Sequence, residues 1–412
     1  MLNLKVLAAV AAVGVVPAAF GGQVFVPKAQ TGAAIQSAID AASAVGGGRV
    51  VLESAVYPSG TLYLKSNVEL HLPEGAVIRG GDRAADYDDV VDPRIGKRPE
   101  KSDKVFIACL FQTNVCISGK GVIDGQGVKF YDTTKFKWGM YAKPASPRPR
   151  MIEFVGCRDV RFEDVTFKDS PGWTCWMRMC ENFTARRVKI HADQLMINND
   201  GFHIDGCRRV HIVGCDVKSG DDSVVMRSIV SPNGDSAVCE DLLVEDCTLS
   251  SNCQCVRLGC PSDGTIRNGI FRRLKMSGVN GVVSEHPVRY LQDGDSGNLT
   301  MANILFEDCE IEARENPLLF HVEPGIALKS FGNTTFRNVK IKGKRPIRLE
   351  GNGFTWVENV KFENVSGEIT EGEALQLKAT KNIAFDKFTV SSAKLPAEQP
   401  AVNLSDTWER VR

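Results

Sequence analysis

Three aspartates in the middle of the chain have the types and spacing needed for acid–base chemistry. Asp221 and Asp222 are adjacent in SGDDSVVMRS (219–228), and Asp200 comes 22 residues before Asp222 in NNDGFHID (198–205). Adjacent carboxylates repel each other and favour a turn, yet a β-prone run follows them directly. Glycoside cleavage requires an acid together with a base or nucleophile. Two neighbouring carboxyl groups, one protonated and one ionised, can fill these roles. Such chemistry requires a framework that brings the three side chains together.

A recurring frame in the sequence predicts that framework. The frame is a polar residue, V-x-F, two polar residues and V-x-F again, and its copies start 23 to 35 residues apart, at residues 159, 182, 209, 241, 268, 303, 333, 359 and 382. Alternating apolar and polar residues broken by Asp, Asn and Gly indicate strands. Too little chain lies between the copies for crossover helices. We therefore predict an all-β fold, a single-domain right-handed parallel β-helix of about ten coils.

The N-terminal end of such a helix needs a cap, because an open end exposes unpaired strand edges. The stretch TGAAIQSAIDAASAVGGG (31–48) predicts a short N-terminal capping helix, with Thr31 as N-cap, Ile35 and Ile39 on one face, and Gly46 as the stop. No shift in composition marks a domain boundary. We therefore predict one parallel β-helix catalytic domain over residues 23–412.

The first 22 residues have the layout of a secretory signal peptide. Lys5 precedes an apolar run, and the small residues Ala18 and Ala19 follow it. A lipid-anchored or uncleaved N-terminus is the alternative. No later run approaches the ~20 apolar residues of a membrane span, so we expect a secreted or periplasmic protein without a membrane partner.

The overall charge argues against a nucleic-acid partner. Lys plus Arg total 50 and Asp plus Glu total 50, so the chain has no basic field to attract nucleic acid. We expect a monomer that binds a polysaccharide or oligosaccharide and needs no cofactor or resident metal.

The thirteen cysteines fit buried thiols better than disulfides. Four of them recur just before the same frame position, and three others occupy a slot where sister copies have Val: Cys157, Cys180, Cys207 and Cys239, then Cys215, Cys247 and Cys309. Residues interchangeable with Val behave as small hydrophobic side chains. A disulfide ladder is the alternative, while CQC (253–255) lacks the paired spacing of a zinc site.

Aligning the apolar residues of successive coils predicts a stripe of four residues: Trp173, Asp200, Asp222 and Gln254. Neighbouring coils lie ~4.8 Å apart. At that separation two carboxylates repel by about 3 kcal/mol, or roughly two pKa units, at an effective dielectric of ~20. We therefore expect one of Asp200, Asp221 and Asp222 to hold its proton at neutral pH. A turn ladder of Asp and Asn, or a calcium site built from the same acids, remains open.

The paired motifs resemble those of glycoside hydrolase family 28, the polygalacturonase-like enzymes. NNDGFHI and SGDDSVVMRS are similar to that family's N-T-D-G and G/Q-D-D motifs, and the likeness extends over roughly residues 30–390. The resemblance implies an inverting hydrolase in which Asp221 protonates the glycosidic oxygen while Asp200 and Asp222 activate water. The spacing rule alone would assign carboxylates this close to a retaining mechanism.

The chain departs from the family pattern where substrate is bound. The family's G-H-G is replaced by CQCVRLG (253–259), which puts Gln254 at the histidine position, and its R-I-K is replaced by NGVVSEHP (280–287). His203 and Arg257 are candidate replacements for substrate contact, with a solvated face as the alternative. Pectate as the substrate is therefore in question.

Further candidates for sugar contact lie near the same coils. Glu285, His286 and Arg289 follow the R-I-K position and could rebuild a binding subsite, or could form an ordinary polar loop. Trp173 offers a flat ring for a sugar, or serves packing.

These features together predict an exported glycoside hydrolase acting on a plant or algal polysaccharide or oligosaccharide. A polysaccharide lyase on the same fold is an alternative, although the stripe contains no Lys to act as a base. A non-catalytic carbohydrate-binding β-helix is another alternative, favoured by the missing histidine and basic pair.

Overall fold

The computed structural model describes residue 20 and residues 22–95, 102–229, 238–259, 264–290 and 298–393. Nearly all of the proposed signal peptide lies outside these residues. The chain forms two compact units that divide between Asp221 and Asp222. That residues 23–412 act as one catalytic domain stays a prediction.

Within its described residues, the first unit contains one α-helix, α1 (Gly32–Ala44), and twenty strands. The strands are β1 (Val24–Phe25), β2 (Gly48–Val51), β3 (Val56–Ser59), β4 (Leu62–Tyr63), β5 (Val68–His71), β6 (Val77–Gly80), β7 (Val105–Leu110), β8 (Thr113–Ser118), β9 (Val122–Asp124), β10 (Phe136–Lys137), β11 (Met140–Tyr141), β12 (Arg150–Val155), β13 (Arg158–Glu163), β14 (Thr166–Lys168), β15 (Cys175–Arg178), β16 (Glu181–Arg186), β17 (Lys189–His191), β18 (Phe202–Asp205), β19 (Arg208–Val213) and β20 (Asp216–Ser219). Short 3₁₀ turns cover Ala84–Asp86 and Gly127–Phe130.

The second unit continues the strand pattern along the chain. Its strands are β21 (Val224–Arg227), β22 (Val238–Glu245), β23 (Thr248–Ser251), β24 (Gln254–Leu258), β25 (Thr265–Arg272), β26 (Lys275–Gly278), β27 (Asn280–His286), β28 (Thr300–Glu307), β29 (Glu310–Ala313), β30 (Leu318–Val322), β31 (Phe331–Gly332), β32 (Thr334–Gly343), β33 (Ile347–Glu350), β34 (Val357–Glu358), β35 (Lys361–Ile369), β36 (Leu375–Lys378), β37 (Thr380–Lys381) and β38 (Ala384–Ser392). A 3₁₀ turn covers Val288–Tyr290.

Each coil places successive strands in parallel sheets that run along its unit. In the first unit β15, β16 and β17 form one coil, and each pairs in parallel with its counterpart in the next coil, β18, β19 and β20. In the second unit β24, β25 and β26 pair in the same way with β27, β28 and β29. The predicted all-β, right-handed parallel β-helix is confirmed.

Helix α1 forms as its sequence predicts. The Thr31 hydroxyl accepts a hydrogen bond from the Ala34 amide at 3.2 Å, as an N-cap does. Ile35 and Ile39 are fully buried, and the helix packs on β1 to β5. Gly46 has φ of 93°, which a residue with a side chain rarely adopts, and it ends the helix. The capping helix is therefore confirmed.

The polar residue that opens each copy of the frame lies at a corner of the coil. Asn333, Asn359 and Asn382 have φ of 44°, 56° and 53°, a left-handed conformation that Asn tolerates better than most residues. The Asn359 amide donates to the Asn333 side-chain oxygen at 2.8 Å, and Asn382 donates to Asn359 at 3.1 Å. In the first unit Asn182 donates to Asp159 at 2.8 Å. The repeating polar residues in the sequence therefore mark the corners of the coils. At the corners named above, their side chains hydrogen-bond to the equivalent residue of the neighbouring coil.

The interiors of the coils are filled by aligned apolar side chains. Five phenylalanines of the second unit stack with nearly parallel rings at centroid distances of 4.7 to 5.5 Å: Phe271, Phe306, Phe336, Phe362 and Phe385. All twelve cysteines of the described chain are free, and all but Cys253 are buried. Burial raises the pKa of the Cys175 and Cys180 thiols well above the ordinary value. The predicted buried thiols are confirmed for these residues. No helix among the described residues has the length and hydrophobicity to cross a membrane.

Candidate active site

Asp200 lies two residues before strand β18 in the first unit, with only 3% of its surface exposed. Phe202 pairs with Cys175 of the preceding coil, so Asp200 lies beside Trp173. The Thr174 amide donates to the Asp200 carbonyl at 2.9 Å. The predicted register of Trp173 and Asp200 is confirmed, while their roles stay predictions.

His203 joins Asp200 and Trp173 into one buried cluster. Its Nδ1 lies 3.1 Å from Asp200 Oδ2, and its ring stacks on Trp173 with centroids 3.7 Å apart and an interplanar angle of 14°. Both rings are nearly buried. Because His203 covers one face of Trp173, the structure favours packing for this tryptophan over a sugar platform, and it gives His203 the geometry to orient Asp200.

Asp221 is positioned by the two residues that precede Asp200. The Asn199 side-chain oxygen accepts hydrogen bonds from the amides of Gly220 at 2.6 Å and Asp221 at 3.2 Å. The Asn198 amide and side chain donate to Asp221 Oδ2 at 3.1 and 3.4 Å. These bonds fix the turn that adjacent aspartates favour, directly before the next strand. Asp221 itself is partly exposed, so its carboxyl can reach a ligand.

Arg148 supports residues 197 and 198, and no pattern in the sequence predicts this role. It is 6% exposed, and its guanidinium donates to the Asn198 side-chain oxygen at 3.1 Å and the Ile197 carbonyl at 2.7 Å. It also donates to the Tyr131 hydroxyl. Arg148 and Tyr131 lie outside the repeat frame, which is why the frame gave no signal for them.

Asp222 opens the second unit, two residues before β21, and is 3% exposed. The Arg257 guanidinium lies 3.1 Å from its Oδ2, and both side chains of this ion pair are largely buried. Val224 pairs with Val256, which puts Asp222 beside Gln254, as predicted from the frame.

The last two residues of strand β27 point to opposite faces. Glu285 pairs with His321, whose Nδ1 is 3.7 Å from the Glu285 carboxylate, and this contact holds the pKa of Glu285 below its usual range. His286 points inward against Phe331, and burial together with the charge of Arg257 lowers its pKa to about 3.

His286 also lies 3.2 Å from the Ser284 hydroxyl. The structure therefore favours packing for His286, and its predicted ligand contact stays a prediction. Arg289 is exposed in the following 3₁₀ turn.

The structure thus gathers Asp200, Asp221, His203 and Trp173 in the first unit and Asp222, Gln254 and Arg257 in the second. Arg148, Asn198 and Asn199 complete the first group, and His321 joins Glu285 in the second unit. The expectation that one aspartate stays protonated remains a prediction.

Comparison with known families supports the sequence resemblance. Residues 92–233 match the family described as Glycosyl hydrolases family 28. A probable polygalacturonase from Vitis vinifera is 27% identical over 188 residues, covering 44% of this chain and 37% of that protein. A polygalacturonase from Juniperus ashei is 24% identical over 299 residues, covering 69% of this chain and 57% of that protein. The chain therefore spans only about half the length of such relatives.

Solved structures show the same fold. An exopolygalacturonase from Thermotoga maritima has a TM-score of 0.78 at 22% identity, with 94% of this chain and 96% of that one covered. A polygalacturonase from Erwinia carotovora has a TM-score of 0.66 at 19% identity, with 87% and 97% covered. At these identities the likeness establishes the β-helix alone.

Proposed function

Because the chain is related to glycosyl hydrolases family 28 through residues 92–233, we propose that it is a polygalacturonase-like hydrolase that cleaves a glycosidic bond with inversion. The observation that carries this proposal is that Asn198 and Asn199, which directly precede Asp200, also bond Asp221. One short segment therefore sets the positions of two carboxyl groups. A turn ladder of solvated acids would not require such buried support.

We assign Asp221 as the general acid. Asp221 Oδ2 accepts hydrogen bonds from Asn198, so the transferable proton belongs on Oδ1. In the reaction this proton passes to the glycosidic oxygen as its bond to the anomeric carbon breaks. The partial exposure of Asp221 suits a group that must touch the substrate.

We assign Asp200 and Asp222 to activation of the attacking water. Each is nearly buried and has a nitrogen partner at 3.1 Å, His203 for Asp200 and Arg257 for Asp222. These partners orient the carboxylates, and the Arg257 cation balances the charge of Asp222. Water adds to the anomeric carbon from the face opposite the leaving group and gives its proton to one of these carboxylates, which yields a product of inverted configuration.

We propose a plant polysaccharide containing uronic acid as the substrate, as the names of the relatives indicate. The proposed substrate contacts are Gln254, Arg257, Glu285 and Arg289. The exposed Arg289 supplies positive charge in place of the R-I-K motif. His203 orients Asp200, and Trp173 packs against the His203 ring. We further propose that the enzyme is exported, which N-terminal sequencing of protein recovered outside the cell would test. We also propose that it is a monomer.

The test is hydrolysis of polygalacturonate by the Asp221→Asn protein. Loss of the acid should lower kcat by about 10²–10⁴-fold while polymer binding persists. The matched control is Asp164→Asn, since Asp164 lies at a coil corner and pairs with Arg187 instead of a site residue; its activity should equal that of the parent. Nuclear magnetic resonance of the first product should show the inverted anomer. Full activity of Asp221→Asn, or a retained configuration, would overturn the proposal.

A further inference from the structure

A two-stranded antiparallel hairpin projects from the β-helix of the first unit and leaves an aromatic tip exposed. Strands β10 and β11 pair Phe136 with Tyr141 and Lys137 with Met140. The two connecting residues are Trp138 and a glycine. Trp138 is 82% exposed and Phe136 is 57% exposed. Contiguous apolar patches exposed on a protein surface are often functional.

The tip is built in a way that stability does not explain. Trp138 has φ of 54° and Gly139 has φ of 77°, the backbone of a two-residue turn that favours Asn-Gly. A bulky residue in the left-handed region is uncommon, and Trp138 gains little burial in return. Strained backbone of this kind is found at ligand-contacting sites.

The charge of the hairpin region selects an anionic ligand. The segment 129–143 carries Lys129, Lys135, Lys137 and Lys143 against the single acid Asp132. The Lys137 ammonium lies 4.3 Å from the centroid of the Trp138 ring, on one of its faces. A pyranose ring can stack on the opposite face, and the lysines of the segment supply the positive potential that attracts a uronate carboxylate.

The hairpin is fixed to the segment that carries the proposed catalytic residues. The Tyr141 amide donates to the Leu195 carbonyl at 2.8 Å, and its hydroxyl donates to Asp193 Oδ2 at 3.1 Å. The Asp193 carbonyl accepts from the Asn199 side chain at 3.1 Å, and Asn199 in turn holds the Asp221 turn. Tyr141 and Tyr131 pack with Met196 in one buried cluster. The tip is therefore held in a fixed position relative to the Asp221 turn.

We propose that the hairpin Phe136–Tyr141 is an accessory binding site for a uronate residue of the polymer, away from the bond that is cleaved. The Trp138 ring stacks on the sugar, and the lysines of the segment 129–143 attract its carboxylate. This inference rests on the proposed function for the identity of the polymer, but it makes its own prediction about binding. Short substrates that cannot reach the tip should not depend on it.

The test measures binding of polygalacturonate to full-length Asp221→Asn protein, which holds the polymer without cleaving it. Trp138→Ala should raise the Kd about fivefold, and Trp138→Phe, which keeps a ring, should stay within about twofold of the parent. Lys137→Gln should raise the Kd about threefold for polygalacturonate and leave binding of fully methyl-esterified pectin unchanged. Phe354→Ala, which removes another aromatic side chain that is 78% exposed, is the control and should bind as the parent does.

The outcomes separate the two proposals. If the protein with Asp221 intact cleaves no glycan but Trp138→Ala still weakens binding, the accessory site stands and the proposed hydrolysis fails. If the protein is an active hydrolase and Trp138→Ala binds polygalacturonate with the parent Kd, the accessory site is overturned. Equal melting temperatures of the Trp138 variants would confirm that each retains its fold.

Discussion

The two units hold their buried aspartates and histidines in opposite electrostatic settings. In the first unit Asp200 bonds to an imidazole, that of His203. In the second unit Asp222 bonds to a guanidinium, that of Arg257, and the nearby imidazole of His286 is kept neutral by burial and by the same arginine. The partner of Asp200 is therefore a titratable imidazole, whereas the partner of Asp222 is a permanent cation. The charge of the partner of Asp222 therefore does not depend on pH, whereas an imidazole partner, as Asp200 has, can change its charge with pH.

The largest expected effect separates the two aspartates by stability. Asp222→Ala leaves the Arg257 cation largely buried without this partner and should cost about 3–5 kcal/mol of unfolding free energy. Asp200→Ala leaves an imidazole that can become neutral and should cost about 1–3 kcal/mol. Chemical denaturation of both variants measures the difference. Equal losses would show that the nature of the partner does not matter.

The acid sensitivity of the second unit should depend on His286. Its folded pKa of about 3 lies below the unfolded value of about 6.5, so the unfolded state binds more protons between these values. The free energy of unfolding is unaffected by His286 above about pH 6.5 and decreases as the pH falls toward 3. The loss is about 3 kcal/mol at pH 4. His286→Gln should flatten the dependence of stability on pH across this range. An unchanged slope would contradict the assignment.

His203 should affect catalysis through Asp200. His203→Leu removes the group that orients Asp200 and should lower kcat by about 10²-fold, because small misplacements of reacting groups have effects of that size. His203→Gln keeps a donor and should recover most of the rate with little change in KM. A rate lost equally in both variants would indicate that the ring itself is needed.

The smallest expected effect concerns the corners, where the two units should behave alike. Asn359→Ala puts alanine, which cannot form the local hydrogen bonds of asparagine, at φ of 56°. It should cost about 1–2 kcal/mol of unfolding free energy. Asn359→Gly, which loses both ladder hydrogen bonds but tolerates the positive φ, should cost about 1 kcal/mol or less. Asn182, at φ of 57° in the first unit, should give the same pair of values in thermal unfolding. A large difference between the units would break the comparison.

The sequence alone determined the coil, because a β-helix repeats the same physical demand at every turn. Each corner requires a residue that tolerates positive φ, as Asn333 and Asn359 do, and each interior slot requires an apolar side chain. Those demands leave a periodic record that also fixes which residues share a column, such as Trp173 with Asp200 and Asp222 with Gln254. The cap of α1 was equally local.

Only the tertiary structure decided which partner each functional side chain has. The pairing of Asp200 with His203, the inward turn of His286 and the support of Asn198 by Arg148 depend on side-chain directions and on a loop outside the frame. The hairpin that carries Trp138 is likewise an insertion between strands of the coil. A repeat specifies the positions of the backbone, but the charge and burial around each group arise from contacts that have no fixed spacing in the sequence.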